Sequence, residues 1–393
     1  MGLRVALISF GHIDVILPLF RYLQASGLDI DLYLCFSLNR KSESVLDFSE
    51  KSVSPGFTDS TKTEELLGFE IRNYLGAFSK VRFFIFQNLK LRSRRNFYLS
   101  ATLAKRLKQY DIIHFNGINA VLPVLMVFLK KKKLLFTIHD IKSHSGEKTR
   151  FNFAEKLIKY IIRSRYPLII QNLKDFIFLN QKYPKISSKF KFIPFSVLDV
   201  YREFKTSAAK APVSDLLFFG RISPYKGIEY LIDALEILDS KEIKVKTIIA
   251  GQGTIYFKSD NLEKLNIELI NKYIKNNELV ALIENTKVIV CPYTDATQSG
   301  VVMTAFAFNK PVIASAVGSF KEVVKDGITG ILVPPRDSTA LASKIEQLIT
   351  DNDLLKQMME NIHKDSTDGE YSWTQIAYNT KEVYSKLISR LIC

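Results

Sequence analysis

A chain of 393 residues is too long for a single hydrophobic core, so two domains are expected. Its 47% hydrophobic content is ordinary for a globular protein, no stretch is of low complexity, and runs such as Ala120 to Leu129 are too short to span a bilayer, which excludes a membrane-spanning helix. The net charge of +15 is unevenly held: residues 1–210 carry 35 Lys and Arg against 17 Asp and Glu, whereas the remainder carries a slight acidic excess. A half-chain this basic attracts a polyanion, either nucleic acid or the anionic leaflet of a membrane.

The chain opens on an apolar run, Arg4 to Phe10, that reads as a buried strand rather than a signal peptide. The turn Gly11-His12-Ile13-Asp14, a helix from Val15 to Ala25 and a strand from Leu28 to Phe36 complete a βαβ opening, which implies a parallel sheet. Gly11 lets backbone approach a ligand closely or simply makes the turn. Residues 40–70 read as loop with a short helix. From Lys80 to Tyr110, Phe83, Phe84, Phe86, Phe97 and Tyr98 interleave with bases. That pattern suits a membrane interface, single-stranded nucleic acid, or a solvated basic face over an ordinary core. A strand at Asp111 to Phe115, an apolar helix from Asn119 to Leu129 with Lys130 to Lys133 at its end, and a strand from Leu134 to Ile138 follow. The last delivers His139 and Asp140 to a strand's carboxyl end, where ligands of parallel sheets bind; His139 and His144, five apart and without cysteine, are poor metal ligands.

After a helix over Phe153 to Ile162 and strands at Leu168 to Gln171 and Lys189 to Pro194, the small, polar stretch 207–214 reads as a linker. A second βαβ series begins with a strand from Asp215 to Phe219. The loop from Gly220 to Gly227 follows, with Arg221 and Lys226 five apart: a diphosphate clamp or two solvated surface cations. Gly251-Gln252-Gly253, after the strand Lys244 to Ala250, is weak on its own. A strand ending at Cys291 leads through a polar loop to Ser299, an expected N-cap, and to a buried helix from Gly300 to Phe308 that ends before Lys310-Pro311. The amino end of that helix is an anion site by its free amides and dipole, or else the Ser-Gly cap of an ordinary βαβ unit. A helix from Thr339 to Ile349, N-capped by Ser338, and a final helix from Trp373 to Leu391 close the chain. Cys35, Cys291 and Cys393 have no metal-like spacing and read as reduced thiols of a cytosolic protein.

Several of these motifs, in order, carry a resemblance: FFGRISPYKGIEYLIDAL, IIAGQG, IVCPY, SGVVMTAFAFNKPVIASAVGSFKEVVKDGITGILVPPRD and YSW, with ISFGH, DIIHFNG and TIHDIKSHSGE in the first half. The chain resembles the family-4 retaining glycosyltransferases of GT-B fold. That resemblance implies an α/β protein with two Rossmann-like domains facing across a cleft. It implies a basic acceptor-binding domain over residues 1–206, the linker at 207–214, a nucleotide-sugar domain over 215–371, and a C-terminal helix, 372–393, that returns to the first domain. Arg221 and Lys226 would bind the donor's diphosphate, His139 would face the transferred sugar, and Gly11, Gly220, Gln298, Ser299, Gly300, Val301 and Thr304 would contact the donor. The family's two glutamates, eight apart, fall here at Thr304 and near Ala296; Gln298 or Asp295 would take part of the missing role.

The activity so implied is sugar transfer from a nucleotide-sugar to a lipid-linked or glycan acceptor, in surface polysaccharide synthesis. It needs no cofactor or metal and takes place at the anionic inner face of the membrane, with no role for nucleic acid. A nucleotide-sugar 2-epimerase, or a non-catalytic basic protein that binds membrane or nucleic acid, are the alternatives.

Overall fold

The computed structural model describes residues 2–40, 42–48, 51–76, 79–88, 93–141, 152–205, 214–296 and 300–389. Among these, residues up to Phe195 and from Trp373 onward form one compact unit, and Ser196–Ser372 form a second. The division therefore falls ahead of the stretch 207–214 read as a linker, of which only Ser214 lies within the described residues. Arg202, in a 3-10 turn at Asp199–Phe204, donates to the Ala307 carbonyl, and Leu198 N donates to Met303 O at 3.1 Å, so these residues pack into the second unit.

The first unit runs β1 (Arg4–Ser9), α1 (Ile13–Ala25), β2 (Asp29–Ser37), a short hairpin of β3 (Ser42–Glu43) and β4 (Leu46–Asp47), β5 (Gly56–Phe57), α2 (Ser60–Leu75) and β6 (Val81–Phe86). It continues through α3 (Arg94–Leu107), β7 (Ile112–Asn116), α4 (Leu122–Phe128), β8 (Lys133–Ile138), α5 (Asn152–Arg163), β9 (Leu168–Ile170), α6 (Leu173–Lys182) and β10 (Phe190–Phe192). The sheet order is β10-β9-β8-β7-β1-β2-β6-β5, parallel except for β5 against β6. Strand order thus reverses between β1 and β7. Strands such as VALIS of β1 are continuously apolar because helices cover both faces.

β6 corrects the reading of the aromatic and basic segment. Phe83, Phe84 and Phe86 are fully buried in the sheet and take no part in any surface, whereas Phe97 and Tyr98 on α3 are exposed. The polar region 40–70 hides a 16-residue helix, α2, capped by Asp59.

The second unit runs β11 (Ser214–Phe219), α7 (Ile228–Ser240), β12 (Thr247–Gly251), β13 (Ile267–Asn271), α8 (Asn276–Glu284), β14 (Thr286–Cys291), α9 (Gly300–Ala307), β15 (Val312–Ser315), α10 (Phe320–Val323), β16 (Gly330–Val333), α11 (Ser338–Thr350) and α12 (Asn352–Asp368). The all-parallel order β13-β12-β11-β14-β15-β16 again reverses once, between β11 and β14. Asp337 rather than Ser338 caps α11, its carboxylate accepting from Ala340 N at 2.8 Å.

The last helix, α13 (Trp373–Ser389), belongs to the first unit and packs on α1, as expected of a returning C-terminal helix. Trp373 is buried beside Tyr22 of α1. The fully buried His114 of β7 bonds the Tyr384 hydroxyl through Nδ1 and Thr137 Oγ1 through Nε2, both at 2.7 Å. Burial pulls its pKa down to about 3, so the folded imidazole is neutral. In the unfolded chain it charges below about 6.5, so its contribution to stability is complete above that pH and is lost as pH falls toward 3, at up to about 1.4 kcal/mol per pH unit. Tyr384→Phe leaves Nδ1 without its partner and should cost about 1–3 kcal/mol. The single tryptophan reports it: the urea midpoint of Trp373 fluorescence at neutral pH should fall in the variant.

Candidate functional site

In each sheet the candidate residues lie beyond the carboxyl ends of the strands, where the strand order reverses. That is where loops part to opposite faces and leave a crevice. In the second unit the parting loops follow β11 and β14. They are locked by backbone contacts that leave no room for side chains. A Cβ on Gly251, at φ 156°, would stand 1.7 Å from the Gly220 carbonyl oxygen, and one on Gly318 would stand 1.6 Å from that of Ala296. Backbone hydrogen bonds continue beyond the strands: Ile222 N donates to Gln252 O at 3.1 Å past β11 and β12, and Thr294 N donates to Tyr225 O at 2.9 Å between the loops after β14 and β11.

This packing sets two cations at the edge. Arg221 is exposed. Lys226 is only 8% exposed and lies with Nζ 3.8 Å from the centroid of the Tyr293 ring, with Tyr225 at 5.0 Å. Tyr293 is itself buried between Phe218 and Phe320. Burial lowers the Lys226 pKa to about 8, and the Arg221 charge adds to the shift. The aromatic faces favour the charged form and replace part of its lost hydration.

The amino end of α9 adjoins the same loop, since Val301 Cγ2 lies 3.8 Å from where a Cβ of Gly220 would stand. α7 begins nearby, but its first amide, Ile228 N, is taken by the Tyr256 hydroxyl at 3.0 Å. Gly300 is exposed and Val301 partly so. Thr304 is buried and donates its hydroxyl to Gly300 O at 2.7 Å, so only its lone pairs remain for a ligand. Gln298 and Ser299 lie outside the described residues. Gly220, Arg221, Lys226, Gly300 and Val301 are thus brought together at one edge.

In the first unit the reversal lies between β1 and β7. Gly11 is buried at the end of β1, and its carbonyl accepts from the Ser9 hydroxyl. His12 takes the left-handed conformation at φ 54°, and its carbonyl accepts from Val15 N and Ile16 N, starting α1. Its ring stacks on His139 with centroids 3.9 Å apart. His139 is 8% exposed, and its Nε2 has no hydrogen-bond partner among the described residues. Burial first, and the neighbouring His12 imidazole second, hold it well below the usual histidine range, so it is neutral at physiological pH. Asp14 beside it is pushed up by burial, against the pull of His12.

His12 and Tyr293 were not singled out by sequence reasoning. The first reads as part of a turn and the second as the end of a strand, and only the fold stacks them on His139 and Lys226.

Residues 201–365 match the family model described as Glycosyl transferases group 1. The chain is 32% identical over 177 residues to the uncharacterized glycosyltransferase MJ1607 of Methanocaldococcus jannaschii, covering 43% of this chain and 44% of that protein. It is 26% identical over 179 residues to the alpha-D-kanosaminyltransferase of Streptomyces kanamyceticus, covering 42% and 46%. The chain therefore spans less than half the length of these relatives. Among solved structures, Alr3699/HepE of Anabaena, in complex with UDP, is similar in fold, with a TM-score of 0.65 at 18% identity over 98% of this chain and 100% of that one. The two Rossmann-like sheets and the returning helix are those of the GT-B fold.

A buried lysine at this edge would make its share of any anion binding depend on pH. If a diphosphate such as UDP binds here, its affinity should be nearly flat up to about pH 8 and then fall as Lys226 loses its proton, by up to about tenfold per pH unit. Calorimetric titration from about pH 7 to about pH 9, below the ionisation of the uracil ring, checks this. Lys226→Met should bind weakly with a flat profile, Tyr293→Phe should resemble the wild type, and Tyr293→Leu should weaken binding.

Proposed function

We propose that the chain is a nucleotide-sugar-dependent glycosyltransferase of the retaining, family-4 kind, acting on a membrane-associated glycan or glycolipid in surface polysaccharide synthesis. The observation that carries the reading is the convergence of Arg221, Lys226 and the amino end of α9 on one locked edge. Two fixed cations and a helix terminus suit a diphosphate, whose charge grows when the bond to the sugar breaks. The match to the glycosyl transferase model covers all of these residues.

In the reaction, the acceptor hydroxyl oxygen forms a bond to the anomeric carbon as the bond from that carbon to the diphosphate oxygen breaks. The electron pair leaves with the diphosphate. The hydroxyl proton passes to the leaving oxygen on the same face of the sugar, so the anomeric configuration is kept. Arg221, Lys226 and the first amides of α9 hold the leaving group's charge. In the first unit, neutral His139 keeps Nε2 available for a ligand, with His12 stacked behind it and Gly11 allowing close approach; contact with the transferred sugar is assigned to it by the resemblance. Gln298 and Ser299, outside the described residues, are assigned to the donor by the resemblance alone. Thr304, its proton already donated, accepts from a ribose hydroxyl in place of a carboxylate.

The basic first unit supports a place at the anionic inner face of the membrane. Among the described residues no helix is long and apolar enough to cross one.

A thermal-shift panel of nucleoside diphosphates and their sugars tests class and base together, since a bound ligand raises stability by mass action. One base should stand out. Arg221→Ala and Lys226→Ala should each lose transfer at least about a hundredfold while unfolding as the wild type does; turnover kept in either variant contradicts the assigned role.

A further inference from the structure

The strands of the first unit progress in one direction from β6 through β7, β8 and β9 to β10, so the right-handed crossovers place α3, α4, α5 and α6 on one face of the sheet. Their inward residues, among them Leu103, Leu125, Ile161 and Leu179, share a single core with Phe84 and Phe136. A helix with its apolar stripe inward is expected to be polar outward.

This layer departs from that rule. Phe97 and Tyr98 on α3 are 57% and 71% exposed, Val127 on α4 is 68% exposed and Tyr160 on α5 is 61% exposed. The Phe97 ring packs against Phe128 of α4, with centroids 5.2 Å apart, so the apolar surface is continuous between these helices. The charges around it are almost all of one sign. α3 carries Arg94, Arg95, Lys105 and Arg106 and no acidic residue, and α5 carries exposed Lys156, Lys159 and Arg163 against Glu155. On the opposite face, α2 sets Glu64, Glu65 and Glu70 against Lys62 and Arg72.

We propose that the outer surface of the α3–α4–α5 layer, with Phe97, Tyr98, Val127 and Tyr160 at its centre, lies flat on an anionic lipid bilayer. The inference sharpens the membrane part of the function proposed above and is independent of the transfer step. Basic side chains meet lipid phosphates while their stems and the intervening rings enter the headgroup and acyl boundary. Val127 offers a nucleic acid neither stacking nor charge, and outward side chains on convex helices form no groove to track a single strand.

The test uses the full chain and vesicles of phosphatidylglycerol and phosphatidylcholine in equal parts. At low salt the wild type should co-sediment with these vesicles and not with phosphatidylcholine alone, and salt should release it. The double variant Tyr98→Ser/Tyr160→Ser changes only exposed rings and should weaken binding about tenfold or more. Lys156→Glu/Lys159→Glu should abolish it, and Phe69→Ser, at an exposed ring on α2, should leave it unchanged. The UDP thermal shift should be the same in all four proteins, so loss of lipid binding is read separately from any failure of the transferase reading. Absence of binding to anionic vesicles, equal loss in Phe69→Ser, or tighter binding of a single-stranded oligonucleotide through the same residues overturns the proposal.

Discussion

Backbone packed against backbone at the carboxyl edge of the second sheet is the constraint on which the candidate site depends. Where Gly251 meets Gly220 and Gly318 meets Ala296, there is no room for a Cβ. Ordinary loops carry their own mobility. These loops are extensions of the sheet, held by ladder hydrogen bonds beyond the last strand residue. A rigid edge matters because cations stabilise developing charge best when they need not reorganise.

Lys226 shows the same logic in one side chain. A lysine this buried loses hydration, and its charged form is disfavoured. The Tyr293 face returns part of that loss and also fixes the position of the ammonium. Arg221, exposed and always charged, supplies the planar, permanent partner. The two cations therefore differ in kind: one is a buried ammonium held against an aromatic face, the other an exposed guanidinium with a planar fork. In the first unit, the His12–His139 stack gives another buried group a fixed pose, there with the charge suppressed.

Much of this was legible in the sequence. The alternation of apolar runs and amphipathic stretches marked most of the parallel strands, and glycine-bounded loops marked their carboxyl ends. The spacing of Arg221 and Lys226, and Ser-Gly before an apolar helix, marked residues that the fold brings to one edge. What was not legible depends on contacts distant in sequence. Phe83, Phe84 and Phe86 look like a surface motif with their basic neighbours, and only the fold buries them, Phe84 and Phe86 in one core with Leu99 and Leu103 of α3 and Phe83 against Phe36 and Phe48. Tyr293 reveals its role only when the loop after β14 folds over the one after β11. α2 hides within a polar region because only Leu66, Leu67, Ile71 and a few neighbours face inward. The stretch 207–214 reads as a linker because it is small and polar, and that the 3-10 turn before it packs on α9 shows only in the fold.

The central claim is that the edge shared by the β11 and β14 loops is built for a diphosphate. Calorimetric titration of the full chain with UDP and with UMP, under identical salt and pH, tests it most directly. The second phosphate should add at least about tenfold in affinity, or about 1.4 kcal/mol, and that increment should shrink clearly in Lys226→Met, where Arg221 and the α9 amides remain. Equal affinity for UDP and UMP, or an increment undiminished in Lys226→Met, would contradict the account.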